Sequence, residues 1–152
     1  MINVSDKLLT LMSQCGSESW FEILGQDNLT QDFITQLEKL NTVKQVEQVR
    51  LAIENGLSYE QISVFAKPEF SGKKMAQMRT GFEYGLSCEQ VAVYAKPELS
   101  VLQMKHLKLA LVAGQNIDYV KQYAKANIHY TVIIKLHNKK LPYDILVKEH
   151  FV

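Results

Sequence analysis

Three prolines, seven glycines and two cysteines are all that this sequence of 152 residues contains of those types, and each scarcity excludes something. Cys15 and Cys88 cannot build a disulfide framework, and neither sits in a Cys-x-x-Cys pair. The four histidines, His106, His129, His137 and His150, have no metal-ligand spacing to one another or to a cysteine, so no metal and no cofactor is expected. No apolar run approaches the roughly 18 residues of a membrane span, so no membrane partner is expected. The start, Met1-Ile2-Asn3-Val4-Ser5-Asp6, lacks the basic and apolar stretches of a signal peptide, which makes the cytoplasm the expected location. A Gly-rich phosphate loop, a Gly-x-Ser-x-Gly elbow and a His-Glu-x-x-His helix are all missing. No catalytic residue is assigned, and the chain reads as non-enzymatic.

What is present is repetition. Gly56-Leu57-Ser58 returns as Gly85-Leu86-Ser87, Glu60-Gln61 as Glu89-Gln90, and Ala66-Lys67-Pro68-Glu69 as Ala95-Lys96-Pro97-Glu98, all at one offset of 29 residues. A looser copy follows at the same offset, with Gly114 matching Gly85 and Tyr123-Ala124-Lys125 matching Tyr94-Ala95-Lys96. Periods of this length mark stacked supersecondary units. With 47% hydrophobic residues and no linker rich in Gly, Ser or Pro, the chain is expected to form one domain spanning 1–152.

Each unit reads as two helices. Met75, Met78 and Phe82 stand at i, i+3 and i+7, the apolar stripe of an amphipathic helix. Val46, Val49 and Ile53 hold these places one unit earlier, and Met104, Leu107 and Leu111 one unit later. Gly81, Ala52 and Ala110 share a position where a small residue lets a neighbouring helix come close. Gly85 ends the first helix, as glycine tolerates the left-handed conformation of a helix C′ position. Ser87 with Gln90 and Ser58 with Gln61 form capping boxes that open the second helix. Its buried face is expected to carry Val91 and Tyr94, Ile62 and Phe65, and Val120 and Tyr123. Pro68 and Pro97 stop it, and Ala126 in place of proline predicts a longer helix in the third unit.

The ends carry worn versions of the same pattern. Leu29-Thr30-Gln31-Asp32-Phe33-Ile34 and Leu141-Pro142-Tyr143-Asp144-Ile145-Leu146 both resemble Leu57-Ser58-Tyr59-Glu60-Gln61-Ile62. Residues 6–14 and Ser17–Leu24 read as two short helices. The expected architecture is all-α: a solenoid-like stack of antiparallel helix pairs, with N-terminal capping helices in 1–42, three clear repeats in 43–125 and a C-terminal capping unit in 126–152.

Charge is unevenly spread. Residues 1–69 hold five basic and ten acidic side chains, whereas residues 70–152 hold twelve basic and six acidic ones. The split points to an acidic partner for the C-terminal half. Within 100–140, Asp118 is the one acid among Lys105, Lys108, Lys121, Lys125, Lys135, Lys139 and Lys140. Arg50 and Arg79 have Glu54 and Glu83 four residues on, a spacing for intrahelical pairs. Lys108, at the equivalent place, meets Val112 instead and is expected to be free for a partner. Lys67, Lys96 and Lys125 form a further column at the ends of the second helices. Tyr84 is replaced by Asn55 and Ala113 in the other units, and Tyr59 by Cys88 and Ile117, so neither is fixed by the shared core. The candidate partner-binding set is Tyr59, Lys73, Lys74, Tyr84, Lys105, Lys108, Lys121, Lys125, Lys139 and Lys140. Cys15 is expected to be a buried thiol.

The segments VRLAIENGLSYEQISVFAKPEF and MRTGFEYGLSCEQVAVYAKPELS resemble short helical repeats, of the type GLSxEQVxxYAKPE, found in proteins of bacterial phages and mobile elements. The resemblance covers roughly residues 43–125 and brings no catalytic residues. It implies a mobile-element origin and a protein-binding task, with a host or element-encoded protein as partner and inhibition of a host factor such as a defence nuclease as one instance. The alternative is a nucleic-acid-binding module using the basic C-terminal half. Either is compatible with a monomer or a homo-oligomer.

Overall fold

A computed structural model describes residues 2–137, 141, 144, 145, 148 and 149. Among these it shows ten α-helices and no strand: α1 (Asp6–Ser13), α2 (Ser17–Leu24), α3 (Gln31–Leu37), α4 (Val43–Glu54), α5 (Tyr59–Phe65), α6 (Gly72–Glu83), α7 (Cys88–Ala92), α8 (Val101–Val112), α9 (Ile117–Lys121) and α10 (Tyr130–Ile134). The all-α expectation holds. The chain forms two compact units, Met1–Arg79 and Thr80–Val152, and the change falls inside α6.

In the first unit, short helices are defined by their caps more than by propensity. Ser5 Oγ accepts the Leu8 N–H at the start of α1 and donates to the Glu38 carboxylate at 2.7 Å, tying α1 to the end of α3. Thr30 caps α3, and Thr42 and Ser58 open α4 and α5 with full capping boxes completed by Gln45 and Gln61. Each such cap contributes on the order of 1 kcal/mol. α1 packs against α2 and α4, and α5 against α3 and α4. Leu8, Met12, Trp20, Ile23, Phe33, Ile34, Leu37, Val46, Val49, Ile62 and Phe65 form the core, and Cys15 is buried with them. Ile53, placed on the same stripe, is only half-buried.

Gln45 does more than complete its box. Its Oε1 accepts the Asn41 and Thr42 N–H groups, while its Nε2 donates to the carbonyls of Pro68 and Phe70 at 3.1 and 2.8 Å. Gln36 Nε2 likewise donates to Ser63 and Ala66 carbonyls at the end of α5. These side-chain amides supply the donors that buried loop carbonyls require.

In the second unit α8 is the central element, with α9 and α10 packed on it. It is buried over most of its surface, at Gln103, Met104, Leu107, Lys108, Leu109, Ala110 and Leu111. A helix covered on most of its circumference belongs to the core of its unit. Ser100 and Gln103 form its capping box, Ser87 and Gln90 that of α7, and Asn116 caps α9. The helices α4, α6 and α8 begin at residues 43, 72 and 101, and α5, α7 and α9 at residues 59, 88 and 117. Gly56, Gly85 and Gly114 lie between the members of each pair with φ of 85°, 96° and 92°, the left-handed region expected of them.

Two expectations fail locally. α9 ends at Lys121 and is no longer than α7, although proline is absent. The carbonyls of Lys125, Ala126 and Ile128, which a continuing helix would use, accept instead from Gln103 Nε2. Tyr123 is half-buried and packs edge-on to Tyr119, with ring centroids 5.6 Å apart, instead of joining the core.

Candidate partner-binding surface

The residues named from sequence differ widely in exposure. Lys108 is the clearest departure. It is 1% exposed, where a free surface cation was expected. Its Nζ lies 2.7 Å from Glu149 Oε1 and 3.0 Å from Thr80 Oγ1, and 5.4 Å from the centre of the Tyr84 ring. A buried ammonium needs such partners, because its desolvation is otherwise unaffordable. Tyr84 donates its hydroxyl to the same Glu149 carboxylate at 2.9 Å. Burial, and then the Glu149 charge, push that hydroxyl well above the usual tyrosine range. Tyr84 therefore belongs to an internal polar cluster more than to an open contact surface. Lys105 is half-buried, with its Nζ 3.5 Å from the Glu149 carbonyl.

In the first unit, Tyr59 stacks on Phe33 with ring centroids 4.4 Å apart and donates to Gln26 Oε1 at 3.2 Å, so its ring is largely committed to α3. Lys73 is exposed on the first turn of α6, and Lys74 beside it is half-buried. Arg50 pairs with Glu54 at 2.9 Å as the spacing predicts, while Arg79 Nε donates to Gln48 Oε1 at 2.8 Å. The lysine column is uneven: Lys67 and Lys125 are exposed, whereas Lys96 Nζ donates to the Ala124 carbonyl at 3.1 Å. Lys139 and Lys140 lie outside the described residues.

What remains accessible in the second unit is Lys121 on the last turn of α9, Lys125 just after it and Lys135 after α10. The second unit also has a groove of about 400 Å³ between the start of α8 and the loop before α10, lined by residues that include Leu102, Gln103, Asn127, His129 and Tyr130. Leu102 is 44% exposed, and Tyr119 and Val132 are exposed as well. Gln103 forms part of the wall, and its Nε2 donates to the backbone carbonyl of Lys125. His129 caps α10 through its Nδ1, and its ring lies tilted by 33° against Tyr130 with centroids 4.5 Å apart. The groove itself offers aromatic rings and an apolar side chain around a shallow opening. Among the described residues, no group of three or more histidine, cysteine, aspartate or glutamate side chains could hold a metal ion, and no helix is long and apolar enough to cross a membrane.

Sequence reading missed the histidine pair behind this wall. His106 Nδ1 and His137 Nε2 lie 2.9 Å apart, with rings nearly parallel and Tyr130 stacked on His106. One ring donates to the lone pair of the other, so both cannot be protonated together. Burial, then the neighbouring His137 and Lys105, hold His106 down to about 4, and burial lowers His137 too, with Glu149 opposing in both cases. In the unfolded chain each takes a proton near pH 6.5. Between that value and the folded one the unfolded chain binds more protons, so stability is complete above about pH 6.5 and falls as pH drops toward 4. Thermal melts across this range should show the loss, and His137→Gln should flatten the part due to the pair. An unchanged slope in that variant would place the pH dependence elsewhere.

Comparison with protein-family models, with curated proteins and with solved structures finds no match to this chain.

Proposed function

We infer that the chain is a non-catalytic protein-binding module, a solenoid-like stack of antiparallel helix pairs with a 29-residue pitch, whose second unit meets an acidic partner. The recurrence of helix starts at 43, 72 and 101 and at 59, 88 and 117 supports the pitch. The observation that carries the binding role is the exposure of Lys121, Lys125 and Lys135 together with Leu102, Tyr119 and Val132 on the second unit. Interfaces of this kind combine aromatic and apolar anchors with charges that steer and orient the partner. The mobile-element resemblance supplies the partner's origin: a host factor met in the cytoplasm, with inhibition of a defence nuclease as one instance.

Nucleic acid is the second reading, favoured by the same lysines. Lysine without arginine suits diffuse attraction more than base reading. The two readings separate by experiment. The wild-type chain is expected to be retained by immobilised polyglutamate and to give no mobility shift with duplex or single-stranded DNA or RNA at low salt. Lys121→Glu with Lys125→Glu should abolish the retention and leave the melting temperature unchanged, both side chains being exposed. A shift with nucleic acid that weakens steeply between about 50 and 200 mM salt would replace the protein reading with the nucleic-acid one.

A further inference from the structure

The first unit carries a surface of the opposite sign. Between α1 and α2 lies an apolar groove of about 180 Å³ lined by Leu9, Met12, Trp20, Phe21 and Leu24. Met12 and Trp20 form its buried floor, while Phe21 is 83% and Leu9 42% exposed. A phenylalanine so open to water gains nothing from folding, and an apolar groove with such a rim marks a contact site.

Charge decides what fits there. From residue 8 to residue 38 the chain has five acidic side chains and no basic one. Glu18 and Glu22 are exposed on α2, one three residues before Phe21 and the other directly after it, and Asp6 is exposed one turn before Leu9 on α1. The single cation on the two helices, Lys7, is turned toward the α3–α4 connection, where its Nζ donates to the Glu38 carbonyl and Asn41 Oδ1 at 3.2 and 3.1 Å. The rim is therefore acidic, and nothing on either helix neutralises it locally. An anionic lipid surface or a nucleic acid would be repelled. We propose that this groove docks a basic amphipathic helix of another protein, its apolar side chains seated over Met12 and Trp20 beside Phe21 and its lysines or arginines facing Asp6, Glu18 and Glu22. This surface is separate from the basic one of the second unit, and neither reading depends on the other.

Trp20 is the chain's one tryptophan, so its emission reports the groove directly. The test titrates the full chain with a short amphipathic helix of leucine and lysine and, in parallel, with its leucine and glutamate counterpart. Saturable change in Trp20 emission is expected with the first and none with the second. Phe21→Ser should weaken binding about tenfold or more, the loss typical of an interface anchor. Glu18→Lys with Glu22→Lys should weaken it comparably and remove its salt dependence. All three positions are exposed, so circular dichroism and melting should match the wild type in both variants. Equal response to the two helices, no response to either, or unchanged affinity in both variants would overturn the proposal. So would an emission change on anionic vesicles, or a concentration-dependent dimer that Phe21→Ser dissolves, which would give the groove to lipid or to a second copy.

Discussion

Lys108→Glu is expected to destabilise the protein by about 3–5 kcal/mol, the range for breaking a buried ion pair from one side. The substitution places a carboxylate where an ammonium now sits 2.7 Å from Glu149, in surroundings that leave the side chain 1% exposed. It also removes the donor to Thr80 Oγ1 and the cation over the Tyr84 ring. The unfolding midpoint should fall by roughly 2–4 °C for each kcal/mol lost. Lys121→Glu, on an exposed residue of the same basic stretch, should move it by less than about 0.5 kcal/mol. The pair of measurements separates a structural lysine from a surface one. Exchanging the charges, with Lys108→Glu and Glu149→Lys together, should recover part of the loss, as coupled neighbours do. Equal effects of the two single substitutions would show that Lys108 is solvent-accessible after all.

Gly81→Val should cost about 1–3 kcal/mol through overpacking. Gly81 is buried on α6, and a side-chain carbon added there would collide with the Tyr94 hydroxyl and crowd Leu86. Tyr94 is fully buried and has no room to retreat. The equivalent position one unit earlier holds Ala52, which is buried, and there the residue equivalent to Tyr94 is Phe65, which has no hydroxyl. Gly81→Ala should accordingly cost less than valine, and the Gly81→Ala, Tyr94→Phe pair should cost less than the sum of its members. Urea unfolding of the four chains measures this coupling; strict additivity would mean that the hydroxyl is not the obstacle.

The parts of this fold written into local spacing could be read directly. Ser58 with Gln61, Ser87 with Gln90, the glycines at 56, 85 and 114, and the stripes through Met75 and Met104 all act within one or two helical turns, and each lies where the pattern placed it. What could not be read depends on partners far along the chain. Lys108 finds Glu149 across 41 residues, and His106 finds His137 across 31, distances at which no periodicity speaks. The signal available for Lys108 was its setting in Leu107-Lys108-Leu109-Ala110-Leu111, a run apolar on all sides of the helix. Spacing treats every cation as equivalent, whereas among the described residues Lys108 is buried, several lysines are engaged and others are open. The exposed Phe21 was visible as a residue but not as a feature, because only the packing of α1 on α2 decides which of Trp20 and Phe21 turns inward.

Gln103 has a dynamic consequence. Its Oε1 holds the Ser100 N–H at 2.8 Å while its Nε2 spans the carbonyls of residues 125, 126 and 128. One amide thus joins two stretches more than twenty residues apart. Exposing either to deuterated solvent requires the same rotamer to let go of both, so the first amides of α8 and those of the 125–128 loop should exchange as one cooperative unit, with a shared opening energy that neither helix propensity nor local sequence would suggest.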